Sequence, residues 1–199
     1  MDIIRSVKEN TLTSSVLPEM TLRLAEDLPY LGSLAFDLKG IAQVERYLFV
    51  HAENGVAQRL FIVQFEGFLP DNTHTYRWPT RTPMTLCEVD WQHNPYFFDN
   101  AENIRSDPGA ESDHTTRFLQ AKGLRIEDEL MMSRFARIVG AARRHEVILF
   151  YLENVSATGH TMEEISEDGD IRPAYQSIAD GLVARSLEIF ELRYYRERV

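Results

Sequence analysis

Val44-Glu-Arg-Tyr-Leu-Phe-Val-His51, then Glu53-Asn54-Gly55, then Val56-Ala-Gln-Arg-Leu-Phe-Ile-Val-Gln-Phe-Glu66 is the stretch whose reading decides the fold. Aromatic and β-branched residues fill both runs, and Asn-Gly between them is the strongest short-range hairpin signal. A look-alike recurs downstream over 130–155. There Met132-Ser-Arg-Phe-Ala-Arg-Ile-Val139 runs out, Arg143-Arg144 sit in a polar turn, and His145-Glu-Val-Ile-Leu-Phe-Tyr-Leu-Glu153 returns. Each outward run carries an Arg–aromatic pair, Arg46-Tyr47 and Arg134-Phe135. Met131, Phe135, Ile138, Val139 and Ala142 also fit a helical stripe, so 131–142 reads both ways. The likeness to the first hairpin decides for strand.

Upstream, Met20–Ala25 and Tyr30–Asp37 add two strand candidates, broken by Glu26-Asp27-Leu28-Pro29 and Lys39-Gly40. Connections this short leave no room for crossover helices, which predicts an antiparallel meander. Residues 1–18 are polar, end at Pro18 and read as a loosely held arm.

The segment 70–126 reads as an insertion between the hairpins. Pro70, Pro79, Pro83, Pro95 and Pro108 punctuate it, with one short strand expected at Thr85–Asp90. Short helices are expected near Phe98–Arg105 and from Ser112 to Lys122, the second with Ser112 as N-cap and Gly123 as its stop. Residues 156–172 form an acidic linker with room for one helical turn. From Pro173 to about Arg196, Tyr175, Ile178, Ala179, Leu182, Val183, Ile189, Phe190 and Tyr194 recur at helical spacing. Asp170 is the nearest cap, and Arg193, Arg196 and Arg198 suit the C-terminal dipole.

The expected architecture is a single α+β domain. A curled antiparallel sheet of about six strands, built on the two hairpins, carries a long C-terminal helix (173–196) on one face. The arrangement is analogous to helix-grip domains, which by itself implies no function.

The chain has 199 residues and a net charge of −10, from 31 acidic and 21 basic side chains. Such a surface repels phosphate backbones and anionic lipid, so no nucleic acid and no membrane are expected as partners. Cys87 is the single cysteine, which excludes a disulfide framework and a Cys-built zinc site. Within Thr85–Asp90 it reads as a small buried apolar side chain. The N-terminus lacks an apolar leader, so the cytoplasm is the expected location. The glycine spacing fits neither a dinucleotide fingerprint nor a Walker A loop, and no cofactor is expected. His160 with Glu163, and Glu111 with Asp113 and His114, fall short of a metal-ligand set, so no metal is expected either.

The insertion carries the candidate chemistry. His74-Thr-Tyr-Arg-Trp78-Pro79 and Asp90-Trp91-Gln-His93-Asn-Pro-Tyr96-Phe-Phe98 hold both tryptophans and two of the six histidines. Aromatic walls with a few polar groups suit a small-molecule pocket, although a long loop also needs large rings as anchors. Alternation places Arg46 with Val44, Leu48 and Val50, and Arg134 with Met132, Ala136 and Ile138. An arginine on such a face receives an anionic ligand, or pairs across strands with a carboxylate such as Glu66 or Glu153.

Three functions follow as expectations. The first is a small-molecule-binding domain, its apolar ligand walled by Trp78, Trp91 and Tyr96 and oriented at an anionic end by His93, Arg46 and Arg134. The second is an enzyme in the same pocket, with His93 as general base held by Asp90 or Glu66. The third is an assembly module presenting the terminal helix or a strand edge to a partner. A homodimer pairing the acidic stretch Glu88 to Asp113 with the basic turn 143–144 belongs to this third reading.

Overall fold

The computed structural model describes residues 5–165 and 172–195. It is a sheet-rich α+β fold with two antiparallel sheets where the sequence predicts one. The larger sheet contains β4 (Tyr30–Leu38), β5 (Ala42–Glu53), β6 (Val56–Phe68), β7 (Pro83–Leu86), β8 (Val89–Asp99), β9 (Glu129–Val139) and β10 (His145–Asn154). Its seven strands run in the order β4-β5-β6-β10-β9-β8-β7, so the two look-alike hairpins lie side by side through β6 and β10. The smaller sheet, in the order β1-β2-β3-β11, combines β1 (Ser6–Lys8), β2 (Thr11–Ser14), β3 (Met20–Leu24) and β11 (Phe190–Tyr194).

The hairpin signals translate directly into geometry. Asn54 and Gly55 adopt the left-handed conformation that a two-residue turn requires, at φ 51 and 77. Residues 129–139 are strand throughout. Only β4, β5 and β6 form the expected meander; β3 leaves it for the smaller sheet.

Three further expectations are corrected. The polar arm is not loose, because β1 and β2 turn back on each other through Glu9 and Asn10, both left-handed. The C-terminal helix α4 (Arg172–Glu188) stops earlier than expected, since Phe190, Leu192 and Tyr194 alternate as β11 and pair with β3. Arg193 therefore lies on a strand, while Asp170, Arg196 and Arg198 fall outside the described residues. Cys87 is exposed: with Glu88 it makes the left-handed turn between β7 and β8.

The helices of the insertion are α1 (Asn100–Ser106) and α2 (Glu111–Ala121). Ala110, not Ser112, occupies the N-cap position of α2. Its C-terminus follows the expected signal: Gly123 is left-handed, its N–H reaches Gln120 O at 2.9 Å and Leu124 N–H reaches Leu119 O at 3.0 Å. A 3-10 turn (Val155–Thr158) and a single helical turn, α3 (Met162–Ile165), begin the acidic linker.

The large sheet is the middle layer. On one face Tyr47, Phe49, Phe61, Phe135 and Tyr151 pack with Leu12, Met20, Leu22 and Leu24 of the small sheet and Leu182 of α4. On the other, Leu48, Ile62, Met132, Ile148 and Phe150 pack under Leu119 of α2 and the loop that follows it. Among the described residues no helix is long and apolar enough to cross a membrane.

Candidate functional site

The second face of the large sheet is closed incompletely. Between it and α1–α2 lies a cavity of about 340 Å³. Leu60, Ile62, Leu130, Met132, Ile148, Phe150 and Leu152 form an apolar floor, and Phe98, Thr115, Thr116 and Ile126 complete the walls. Its polar end is built from Arg46, Glu66, Tyr96, Glu111, Arg134 and Glu146.

All of these groups except Glu111, which opens α2, reach this end through strand alternation. Arg46 on β5 is buried and fully engaged. Its Nε donates to Gln64 Oε1 at 2.6 Å, Nη1 donates to Thr115 Oγ1 and to Glu111 O at 3.1 Å, and Nη2 lies 3.8 Å from Glu111 Oε1. Burial pulls this guanidinium down to about 10, so it remains charged at neutral pH. Arg134 on β9 differs. Its guanidinium sits 5.9 Å from the centre of the Phe150 ring and makes no hydrogen bond or ion pair with any described residue. Tyr96 Oη likewise finds no hydrogen-bond partner among the described residues, and burial raises its phenol.

Glu66 on β6 and Glu146 on β10 are direct cross-strand partners. Glu66 accepts from Tyr76 Oη at 2.7 Å and Gln64 Nε2 at 2.8 Å, and burial raises its pKa. Glu146 accepts from Trp78 Nε1 at 3.2 Å. Burial, followed by the field of Glu66, pushes it up to about 7.

The residues singled out in the sequence divide between two faces. Arg46, Arg134 and Tyr96 line the cavity. Trp78 packs into the same layer and reaches the site only through Glu146. Trp91 and His93 project from β8 to the opposite face. Trp91 is buried against Tyr194, with ring centroids 5.8 Å apart, and its indole N–H has no partner among the described residues. His93 Nε2 lies 3.0 Å from Ser133 Oγ, which accepts from Ser186 Oγ at 3.1 Å, and its ring packs on Phe135. Burial lowers its pKa. Neither residue joins Arg46 and Arg134, because alternation along β8 sets 91 and 93 opposite to 96.

Glu146 and the facing position of Glu66 were not legible, since their encounter depends on the pairing of β6 with β10. The residues weighed as metal ligands have other partners: Asp113 binds Arg117 and Gly109 N–H, and His114 stacks on Phe36. Among the described residues no cluster of three or more His, Cys, Asp or Glu is arranged to hold a metal ion.

The basic turn is also engaged within the chain. Arg144 donates to Asn72 O and Leu69 O at 2.8 and 2.7 Å, and Arg143 Nε donates to Tyr76 O at 3.0 Å. No protein-family model, curated protein or solved structure matches the chain.

Proposed function

We propose that the protein is a small-molecule-binding domain whose ligand lies in the cavity between the large sheet and α1–α2. The ligand's apolar body rests on Ile62, Met132, Ile148 and Phe150, and its anionic group is received by Arg134. One observation carries this reading: Arg134 lines a cavity with no hydrogen bond or ion pair to a described residue. A guanidinium offers five donors in a fixed fork, and carboxylate or phosphate is its natural complement. The volume falls at the lower end for small-molecule sites, roughly 300–1,000 Å³. The cytoplasm suits this reading, because the exposed thiol of Cys87 stays reduced there.

The relevant probes are 3-phenylpropionate and octanoate, each an apolar body with one carboxylate. Either is expected to raise the melting temperature, and the shift is expected to vanish in Arg134→Met. An equal shift in that variant would mean that the anion is read elsewhere.

A carboxyl held near neutrality favours a second reading, acid–base catalysis in the same cavity. The base would then be Glu146 rather than His93, which faces away. In that case Glu146→Gln abolishes turnover and His93→Gln preserves it; the reverse pattern removes Glu146 from the role. The assembly reading keeps its strand edges, whereas Ile178 and Leu182 of α4 pack on the sheet and the basic turn binds its own chain.

A further inference from the structure

Resting on that reading, we infer that the cavity takes a zwitterion: an apolar α-amino acid, with its carboxylate on Arg134 and its ammonium at Glu146.

The inference begins with Glu146, which is 6 % exposed yet incompletely bonded. Its Oε2 accepts from Trp78, while Oε1 has no hydrogen bond among the described residues, and the residue lines the cavity. A carboxylate oxygen in such a place requires either a proton or a donor from outside the chain. Glu66 stands directly opposite, so the pair concentrates negative charge at one end of the cavity. Glu66 already accepts from Tyr76 and Gln64, which leaves Glu146 as the oxygen open to a ligand.

Arg46 cannot neutralise the pair by moving toward it. Gln64, Thr115 and the Glu111 carbonyl hold its guanidinium in place. Arg134, which makes no hydrogen bond or ion pair with a described residue, lines the same cavity, and its field lowers the Glu146 pKa in part. The cavity therefore presents, on the same face of neighbouring strands, a guanidinium and a carboxyl oxygen that each lack a hydrogen bond to a described residue. An α-carboxylate and α-ammonium on one carbon complement that pairing, and neither a plain acid nor a plain amine satisfies both. The apolar floor then accommodates the side chain, and Tyr96 Oη supplies a further hydrogen bond to the carboxylate.

Ligand entry also settles the proton. Without a ligand, Glu146, pushed up to about 7, holds a proton in part of the population near neutral pH, which suits two acids facing each other. An arriving ammonium replaces it, and the proton leaves to solvent. Binding at neutral pH is therefore accompanied by proton release, readable as a calorimetric heat that differs between phosphate and Tris buffers.

The test compares L-phenylalanine with 3-phenylpropionate and phenethylamine, and L-leucine with 4-methylpentanoate and 3-methylbutylamine. Calorimetry on the wild-type chain is expected to show each amino acid binding at least tenfold tighter than its acid or amine. Glu146→Gln is expected to erase the advantage over the acid while leaving the acid bound. Because the analogue comparison uses the unmodified chain, it stands even if a variant fails to fold. Acids that bind as tightly as the amino acids overturn the zwitterion and leave the anion-binding reading intact. Failure of all six compounds to bind overturns both.

Discussion

Glu66 on β6 and Glu146 on β10 face each other directly across the ladder, and both line the cavity between the large sheet and α1–α2. Like charges in that relationship are destabilising unless a proton or a ligand intervenes. The cost has a definite pH dependence. Glu146 is pushed from 4.5 up to about 7 on folding, so between those values the folded chain holds a proton that the unfolded chain has lost. Stability from this group is therefore present at low pH and is lost as pH rises from 4.5 through about 7. Glu66 acts in the same direction. Glu146→Gln is expected to flatten the slope and to exceed the wild type by up to about 3 kcal/mol at pH 8. Urea titrations from pH 5 to pH 8 measure this, and parallel curves for the two proteins would refute it.

His93 carries the opposite sign. Burial lowers its pKa, so below the ordinary histidine value the unfolded chain takes up a proton that the folded chain refuses. Its contribution is present above that value and is lost as pH falls. The ring is expected to titrate below the ordinary histidine value, its Nε2 engaged by Ser133. Nitrogen-15 chemical shifts of the imidazole report this directly. A full titration centred on the ordinary value would show the ring to be solvent-accessible.

The same two residues mark what the sequence made legible. Period-two alternation correctly put Arg46 with Leu48 and Arg134 with Met132, because it requires only that each run be a strand. His93 was grouped with Arg46 because Pro95 made 91–97 read as loop beyond the short strand Thr85–Asp90, whereas Pro83 and Pro95 both lie in strands of the outer part of the sheet. Read as a strand, Val89–Asp99 would have separated Trp91 and His93 from Tyr96. The small sheet was hidden for a different reason. Thr11-Leu-Thr-Ser14 is too short to show a period, and Phe190 and Tyr194 satisfy a helical stripe as well as an alternating one. Pairing with β3 settles the ambiguity, and pairing between distant strands leaves no local trace. Glu146 stayed hidden on the same ground.

Arg144 ties the start of the insertion to the second hairpin. Its guanidinium donates to the carbonyls of Leu69, Asn72 and His74 at 2.7, 2.8 and 3.2 Å. Charge-assisted bonds of this kind contribute about 1.5–3 kcal/mol in favourable settings. Arg144→Ala is expected to speed amide exchange and proteolysis over 69–77 while β5 and β6 remain protected. Cleavage distributed evenly along the chain would instead indicate global unfolding.

Asn10 does for the small sheet what Arg144 does for the insertion. It sits left-handed at φ 59, its Nδ2 donates to Ala25 O at 2.8 Å and Leu28 O at 2.9 Å, and its Oδ1 accepts from Tyr30 N–H at 2.9 Å. One side chain thus joins the β1–β2 turn to the β3–β4 connection and satisfies backbone groups there. Asn10→Ala removes these bonds and strains the turn, and the expected loss is about 2–4 kcal/mol. Asn10→Gly relieves the turn and still loses the bonds, so it separates the two contributions. Asn10→Asp is the sharpest case: it keeps the acceptor for Tyr30 but turns a carboxylate oxygen toward two carbonyls. Above the carboxylate's pKa it is expected to be less stable than Asn10→Ala, and on acidification the order should reverse. Urea midpoints of the three variants at pH 4 and pH 8 decide it, and a pH-independent ranking would rule out the amide as the group holding the connection.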